Sequence, residues 1–124
     1  VGKLARNTYG HNVVRHLLQH GEAQHIRQII RAISANNVVE LAKSKSSSLV
    51  LETCLQVATC GKHAAELDSE RAALVSEILG CQDTGKCSRL QLMALDEFGN
   101  YVVQRLFECA RGPEVPLLHR RLLE

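Results

Sequence analysis

Apolar residues recur along this chain at intervals of three and four, the spacing that gathers them on one side of an α-helix. Val13, Val14, Leu17 and Leu18 form one such set, Ile26, Ile29, Ile30 and Ile33 a second, and Leu74, Val75, Ile78 and Leu79 a third. No stretch keeps up the two-residue alternation of a half-buried strand. The pattern is interrupted at Gly21, Ser34-Ala35-Asn36-Asn37, Gly61, Gly80 and Gly112-Pro113, residue types that end helices or form turns. These positions predict an all-α chain of helices of about 8 to 14 residues joined by short connections.

Short helices in series often share a template, and this chain contains one. Tyr9-Gly10-His11-Asn12-Val13-Val14-Arg15-His16-Leu17 aligns without gaps on Phe98-Gly99-Asn100-Tyr101-Val102-Val103-Gln104-Arg105-Leu106. A more diverged copy is Ser46-Ser47-Ser48-Leu49-Val50-Leu51-Glu52-Thr53-Cys54. The copies are offset by 37 and then 52 residues, which puts an insertion between Cys60 and Arg89. The expected organisation is one unit: repeat one over 1–36, repeat two over 37–88 with its insertion at about 60–88, and repeat three over 89–124. In each copy the apolar positions (Val13, Val14, Leu17; Val50, Leu51, Cys54; Val102, Val103, Leu106) are expected to face the core. An exposed stripe should remain: His11, Asn12 and Arg15; Ser48, Leu49 and Glu52; Asn100, Tyr101 and Gln104. The outer two positions of each triad are four residues apart, so their side chains neighbour each other on one helical turn. The framework repeats while the stripe changes its chemistry, as a modular reader requires.

Phe98-Gly99-Asn100-Tyr101-Val102-Val103-Gln104 resembles the signature of a Pumilio (PUF) repeat, and Tyr9-Gly10-His11-Asn12-Val13-Val14 is similar to it. A Ser-x-x-x-Glu repeat followed, after a lengthened connection, by an Asn-Tyr-Val-Val-Gln repeat resembles the end of a Pumilio homology domain, so the copies correspond to its last three repeats. The resemblance implies a right-handed superhelical solenoid of three-helix repeats whose concave face binds single-stranded RNA, one base per repeat. It implies that Asn100 and Gln104 read uracil, that Ser48 and Glu52 read guanine through its N1–H and N2–H₂ donors, and that Tyr101 stacks on a base. Leu49 and Asn12 hold the other two stacking positions, without an aromatic face. The family runs antiparallel to its RNA, so the implied sequence is 5′-UG followed by a third base facing His11 and Arg15. An arginine there favours cytosine O2, guanine O6 or a phosphate. The resemblance also implies a cytoplasmic regulator of messenger RNA, acting on 3′ untranslated regions with protein co-regulators. Longer arrays are usual in the family, so a C-terminal segment of one, or a short member, is expected, with apolar surface at one end meant for a neighbouring repeat.

Composition agrees with a folded chain: 124 residues, 45% hydrophobic and 23% charged, with no apolar run of bilayer-spanning length and no leader expected at Val1. Five cysteines cannot all pair with one another, which fits a reducing, intracellular setting. The net charge of +2 conceals a basic first third, with seven bases and two acids in residues 1–45, and such a region suits an acidic partner. Three other signals carry less weight. Gly80 to Cys87 mimics a phosphate-binding loop but follows a helix where a strand is required, and Cys87 stands where Ser or Thr should be. Cys60, His63, Cys81 and Cys87 lack the thiol spacing of a structural zinc site, and no cofactor is expected. His16, His20 and His25 lie along helices without a nucleophile or paired carboxylate, so no enzyme is expected. Two rivals to a base reader remain. One is a nucleolar-type relative that grips RNA through phosphates alone. The other is a helical scaffold that binds protein, as armadillo and HEAT arrays do.

Overall fold

The computed structural model describes residues 7–79 and 89–123. Among them are the helices α1 (Gly10–His20), α2 (Ala23–Ser34), α3 (Val38–Ala42), α4 (Lys45–Cys60), α5 (Asp68–Leu79), α6 (Arg89–Ala94), α7 (Gly99–Cys109) and α8 (Glu114–Leu123), and no strand. The helices stack in rows. α1, α4 and α7 lie side by side, α3 packs on α6, α2 on α5, and α8 on α6. Each row takes the equivalent helix from successive copies, which makes the fold an all-α solenoid.

Two of the three helices in the α1–α4–α7 row begin in the same way. Asn7 Oδ1 accepts the N–H groups of Tyr9 and Gly10, both at 2.9 Å, and Asp96 Oδ2 accepts those of Phe98 and Gly99, both at 2.9 Å. A side-chain oxygen thus satisfies the amides that a helix start leaves unpaired. In copy three the glycine at this start is required by space. A Cβ on Gly99 would sit 2.5 Å from the Met93 carbonyl oxygen. Copy two has Ser47 at this position, and its hydroxyl donates to the equivalent carbonyl, that of Leu41.

α3 and α6, with five and six residues, are shorter than the spacing predicts, and α4, with 16, is longer. A five-residue helix cannot sustain itself in water. α3 persists because Val38, Leu41 and Ala42 are all buried and Asn37 Oδ1 accepts the Glu40 N–H. Gly21 and Glu22 join α1 to α2, whereas residues 61–67 join α4 to α5 and end on the buried Leu67. Residues 80–88 lie outside the described residues.

One core runs through all the copies, from Leu18 and Ile30 through Leu51 and Leu74 to Leu106 and Leu118. Cys54 and Cys109 belong to it, as their apolar helix positions predict, and both are free thiols. Burial pushes the Cys54 thiol up to about 12. Val13 and Leu17 correct the expectation that all the framework positions are buried: they are 56% and 45% exposed, while Val50, Cys54, Val102 and Leu106 are fully buried. Each buried set is covered by the preceding copy, and no described helix covers that side of α1.

Ion pairs tie the third helices together. Arg27 on α2 bonds to the buried carboxylate of Glu70 on α5 and donates to the Glu66 carbonyl at 3.0 Å. Arg71 on α5 donates to Glu114 at the start of α8 at 2.8 Å. Burial alone would raise the Glu114 carboxyl, but hydrogen bonds from Arg71 and the Arg111 amide hold it below its usual range. Arg27, one base of the basic first third, is therefore occupied within the fold.

Candidate nucleic-acid interface

The α1–α4–α7 row carries the nine stripe residues on three parallel helices. On α7 the geometry is clear. Tyr101 is 55% exposed, Gln104 is exposed and Asn100 half-buried. Asn100 Nδ2 donates to the carbonyls of Asp96 at 2.9 Å and Glu97 at 2.8 Å, which directs Oδ1 toward the next turn. Gln104 Nε2 donates to that Oδ1 at 3.0 Å. Two amides therefore stand together beside an exposed aromatic ring, ready to exchange their mutual bond for the edge of a flat polar ligand.

On α4 the stripe is narrower than expected. Ser48 is buried, at 3% exposure, and its hydroxyl donates to the Lys45 carbonyl at 3.0 Å, which corrects its assignment to an exposed face. The reason is position: α4 is flanked by α1 on one side and α7 on the other, so a short side chain at its edge is covered. Leu49 and Glu52 remain half-buried on the open side. Burial pushes the Glu52 carboxyl above its usual range, against the pull of Arg105 and Arg15, while Glu108 adds to the rise.

On α1, Asn12 is exposed, and His11 and Arg15 are half-buried. His11 Nδ1 lies 3.2 Å from the Asn7 carbonyl, and in the neutral tautomer that makes this bond Nδ1 donates and Nε2 is the acceptor. Arg15 Nε donates to Thr53 Oγ1 at 3.2 Å, across the boundary between copies. Thr53 and Arg105, the next residue along in copies two and three, thus belong to the surroundings of the stripe although they lie outside the triads. The alignment puts them in register with each other. Their part depends on the reach of an arginine, which spacing within one helix does not reveal.

The other candidates are accounted for. His16, His20 and His25 are exposed, with the His16 and His20 rings 4.6 Å apart. Cys60 is exposed and His63 faces Glu66 at 3.6 Å, while Cys81 and Cys87 lie outside the described residues, as does the Gly80 to Cys87 segment. Among the described residues no three His, Cys, Asp or Glu side chains gather as metal ligands, and no helix is long and apolar enough to cross a membrane.

Residues 1–34, 37–63 and 90–118 match the family model described as Pumilio-family RNA binding repeat. The chain is 27% identical over 109 residues to Pumilio homolog 12 of Arabidopsis thaliana, a match covering 88% of this chain and 16% of that protein. Its fold is similar to that of PUF-8 in complex with PBE-RNA, with a TM-score of 0.80 and 28% identity over 98% of this chain and 32% of that one. It is also similar to the Puf3 RNA binding domain bound to a Cox17 RNA 3′ UTR recognition sequence, with a TM-score of 0.72 and 27% identity over 98% of this chain and 36% of that one. The chain therefore spans about a third or less of the length of these relatives.

Proposed function

Because this chain belongs to the Pumilio family of RNA-binding repeat proteins, we propose that it binds single-stranded RNA along the α1–α4–α7 row and distinguishes bases there. The observation that carries this is the α7 cluster: two amides 3.0 Å apart beside a 55% exposed tyrosine. Uracil offers acceptors on either side of one N–H donor, and Asn100 with Gln104 supplies complementary groups, while Tyr101 stacks. Glu52 accepts from guanine N1–H and N2–H₂, with the Ser48 hydroxyl behind it. The third base meets the His11 Nε2 acceptor and the Arg15 donors. Leu49 and Asn12 at the other two stacking positions provide contact area without a π-face, so the affinity per base is greatest at Tyr101. The RNA is read as 5′-UG and then the third base, and the Puf3 relative bound to a 3′ UTR sequence supports messenger RNA as the source.

The test is an ¹⁵N-resolved NMR titration of the chain with 5′-UGU, 5′-UGC and 5′-CAU at two salt concentrations. Shifts confined to α1, α4 and α7, larger with the UG-containing RNAs and persisting at the higher salt, are expected. Equal shifts for all three RNAs that vanish with salt would replace base reading with phosphate binding. Absence of shifts with any RNA would favour the protein-binding scaffold.

A further inference from the structure

Arg15 belongs by alignment to the copy-one triad, but its guanidinium reaches into copy two. Its Nε donates to Thr53 Oγ1 at 3.2 Å, and that hydroxyl donates to the Leu49 carbonyl at 2.8 Å. Thr53 is buried and adjoins Glu52 in sequence, so this anchor holds the guanidinium on the residue beside the one that bears the sole carboxylate of the three triads, and its charge pulls on that carboxylate. On the other side, Arg105 of α7 pulls on Glu52 more strongly than Arg15 does, but it donates to Glu108 at 3.1 Å and so is shared with a second carboxylate. Among the described residues Arg15 hydrogen-bonds to a neutral hydroxyl, leaving its charge available to Glu52.

We infer that Arg15, besides facing the third base, is a positioning residue for Glu52, so that the bases facing copies one and two are selected as a coupled pair. The inference rests on the proposed role of Glu52 as the guanine acceptor. A carboxylate that accepts two donors from guanine must stay ionised and in place while the arriving base strips water from it. A nearby guanidinium favours the ionised form. Held on a buried hydroxyl, it does so without ordering a free arginine at the moment of binding. With a neutral residue at position 15, Glu52 would depend on Arg105, whose charge Glu108 partly offsets.

Three variants, R15Q, R15K and T53V, test this in the full chain. In the free protein, ¹³C-detected titration of the Glu52 carboxyl should show its pKa rising further in R15Q, rising less in T53V, and least displaced in R15K. An unchanged Glu52 titration in R15Q would overturn the inference. With short RNAs differing only at the base facing copy two, R15Q should lower the preference for guanine over uracil about three- to tenfold, and an R15Q/E52Q double-mutant cycle should be non-additive by a similar factor. A change of preference confined to the third base would also overturn it. The titration needs no RNA: if the unaltered chain binds none and Glu52 still responds to R15Q, the proposed function falls and the Arg15–Glu52 coupling stands.

Discussion

Copies one and three share a framework, yet two pairs of equivalent residues have opposite surroundings. Val102 and Leu106 on α7 are fully buried, while Val13 and Leu17 on α1 are 56% and 45% exposed. The helices are alike in length and start on the same kind of Asn or Asp turn. The difference comes from the neighbour: α4 covers α7, and no described helix covers the corresponding side of α1. In a solenoid, burial belongs to the interface between copies more than to the copy itself. The strongest way to break this account is a matched pair of truncations. Leu106→Ala should destabilise the chain by about 2–5 kcal/mol, the range for a fully buried leucine, while Leu17→Ala should cost less than about 1 kcal/mol. Urea unfolding of both variants checks it, and equal losses would mean that α1 and α7 are packed alike.

The next contrast is between copies two and three at the start of the inner helix. Gly99 and Ser47 occupy the same place beside equivalent carbonyls, those of Met93 and Leu41. A Cβ on Gly99 meets its carbonyl at 2.5 Å, and a backbone oxygen cannot swing aside as a flexible side chain would. Gly99→Ala should therefore cost toward the upper end of about 1–3 kcal/mol. Ser47→Ala keeps a Cβ that copy two already accommodates and removes only the buried hydrogen bond, at a cost of about 1 kcal/mol. Thermal melts would show the ordering, and a Gly99→Ala chain as stable as the parent would refute the steric reading.

Much of this was legible in the sequence, and the exceptions have a common cause. Periodicity located the helices, the sets beginning at Ile26 and Leu74 are core as their spacing predicts, and Cys54 and Cys109 are buried. The alignment identified α7 and its Asn100–Gln104 pair. What was not legible depends on neighbours from another copy: the exposure of Val13 and Leu17, the burial of Ser48 between α1 and α7, and the Arg15 bond to Thr53. The shortness of α3 and α6 is similar, since their ends are decided by tertiary packing. The stripe offers a further contrast, between aromatic Tyr101 and aliphatic Leu49. Tyr101→Ala should weaken binding of every RNA by about 1–3 kcal/mol without changing the preferred base, whereas Leu49→Ala should weaken it less. Titration calorimetry with 5′-UGU and 5′-CAU checks both, and a Tyr101→Ala effect seen only in thermal stability would move this side chain from the interface to the core.

The smallest expected effect separates the two helix starts that look most alike. Asn7 and Asp96 hold the same pairs of amides at the same distances, but Asp96 does so as an anion at neutral pH. The bonds from the Gly99 and Phe98 amides hold its carboxyl below the usual aspartate range, with a small contribution from Lys43. Because the folded form binds its proton less readily than the unfolded chain does, ionised Asp96 favours folding at pH values above the unfolded value of about 3.9. That contribution fades as pH falls from there through the lower folded-state value, where protonation weakens the acceptor. Asn7 does not titrate, so the α1 start keeps its bonds across the same interval. Amide hydrogen exchange measured from pH 5 downward should therefore show Phe98 and Gly99 losing protection relative to Tyr9 and Gly10, once the intrinsic pH dependence of exchange is removed. Asp96→Asn should make the two starts behave alike, and a difference between them that survives this substitution would assign the acid sensitivity of α7 to another group.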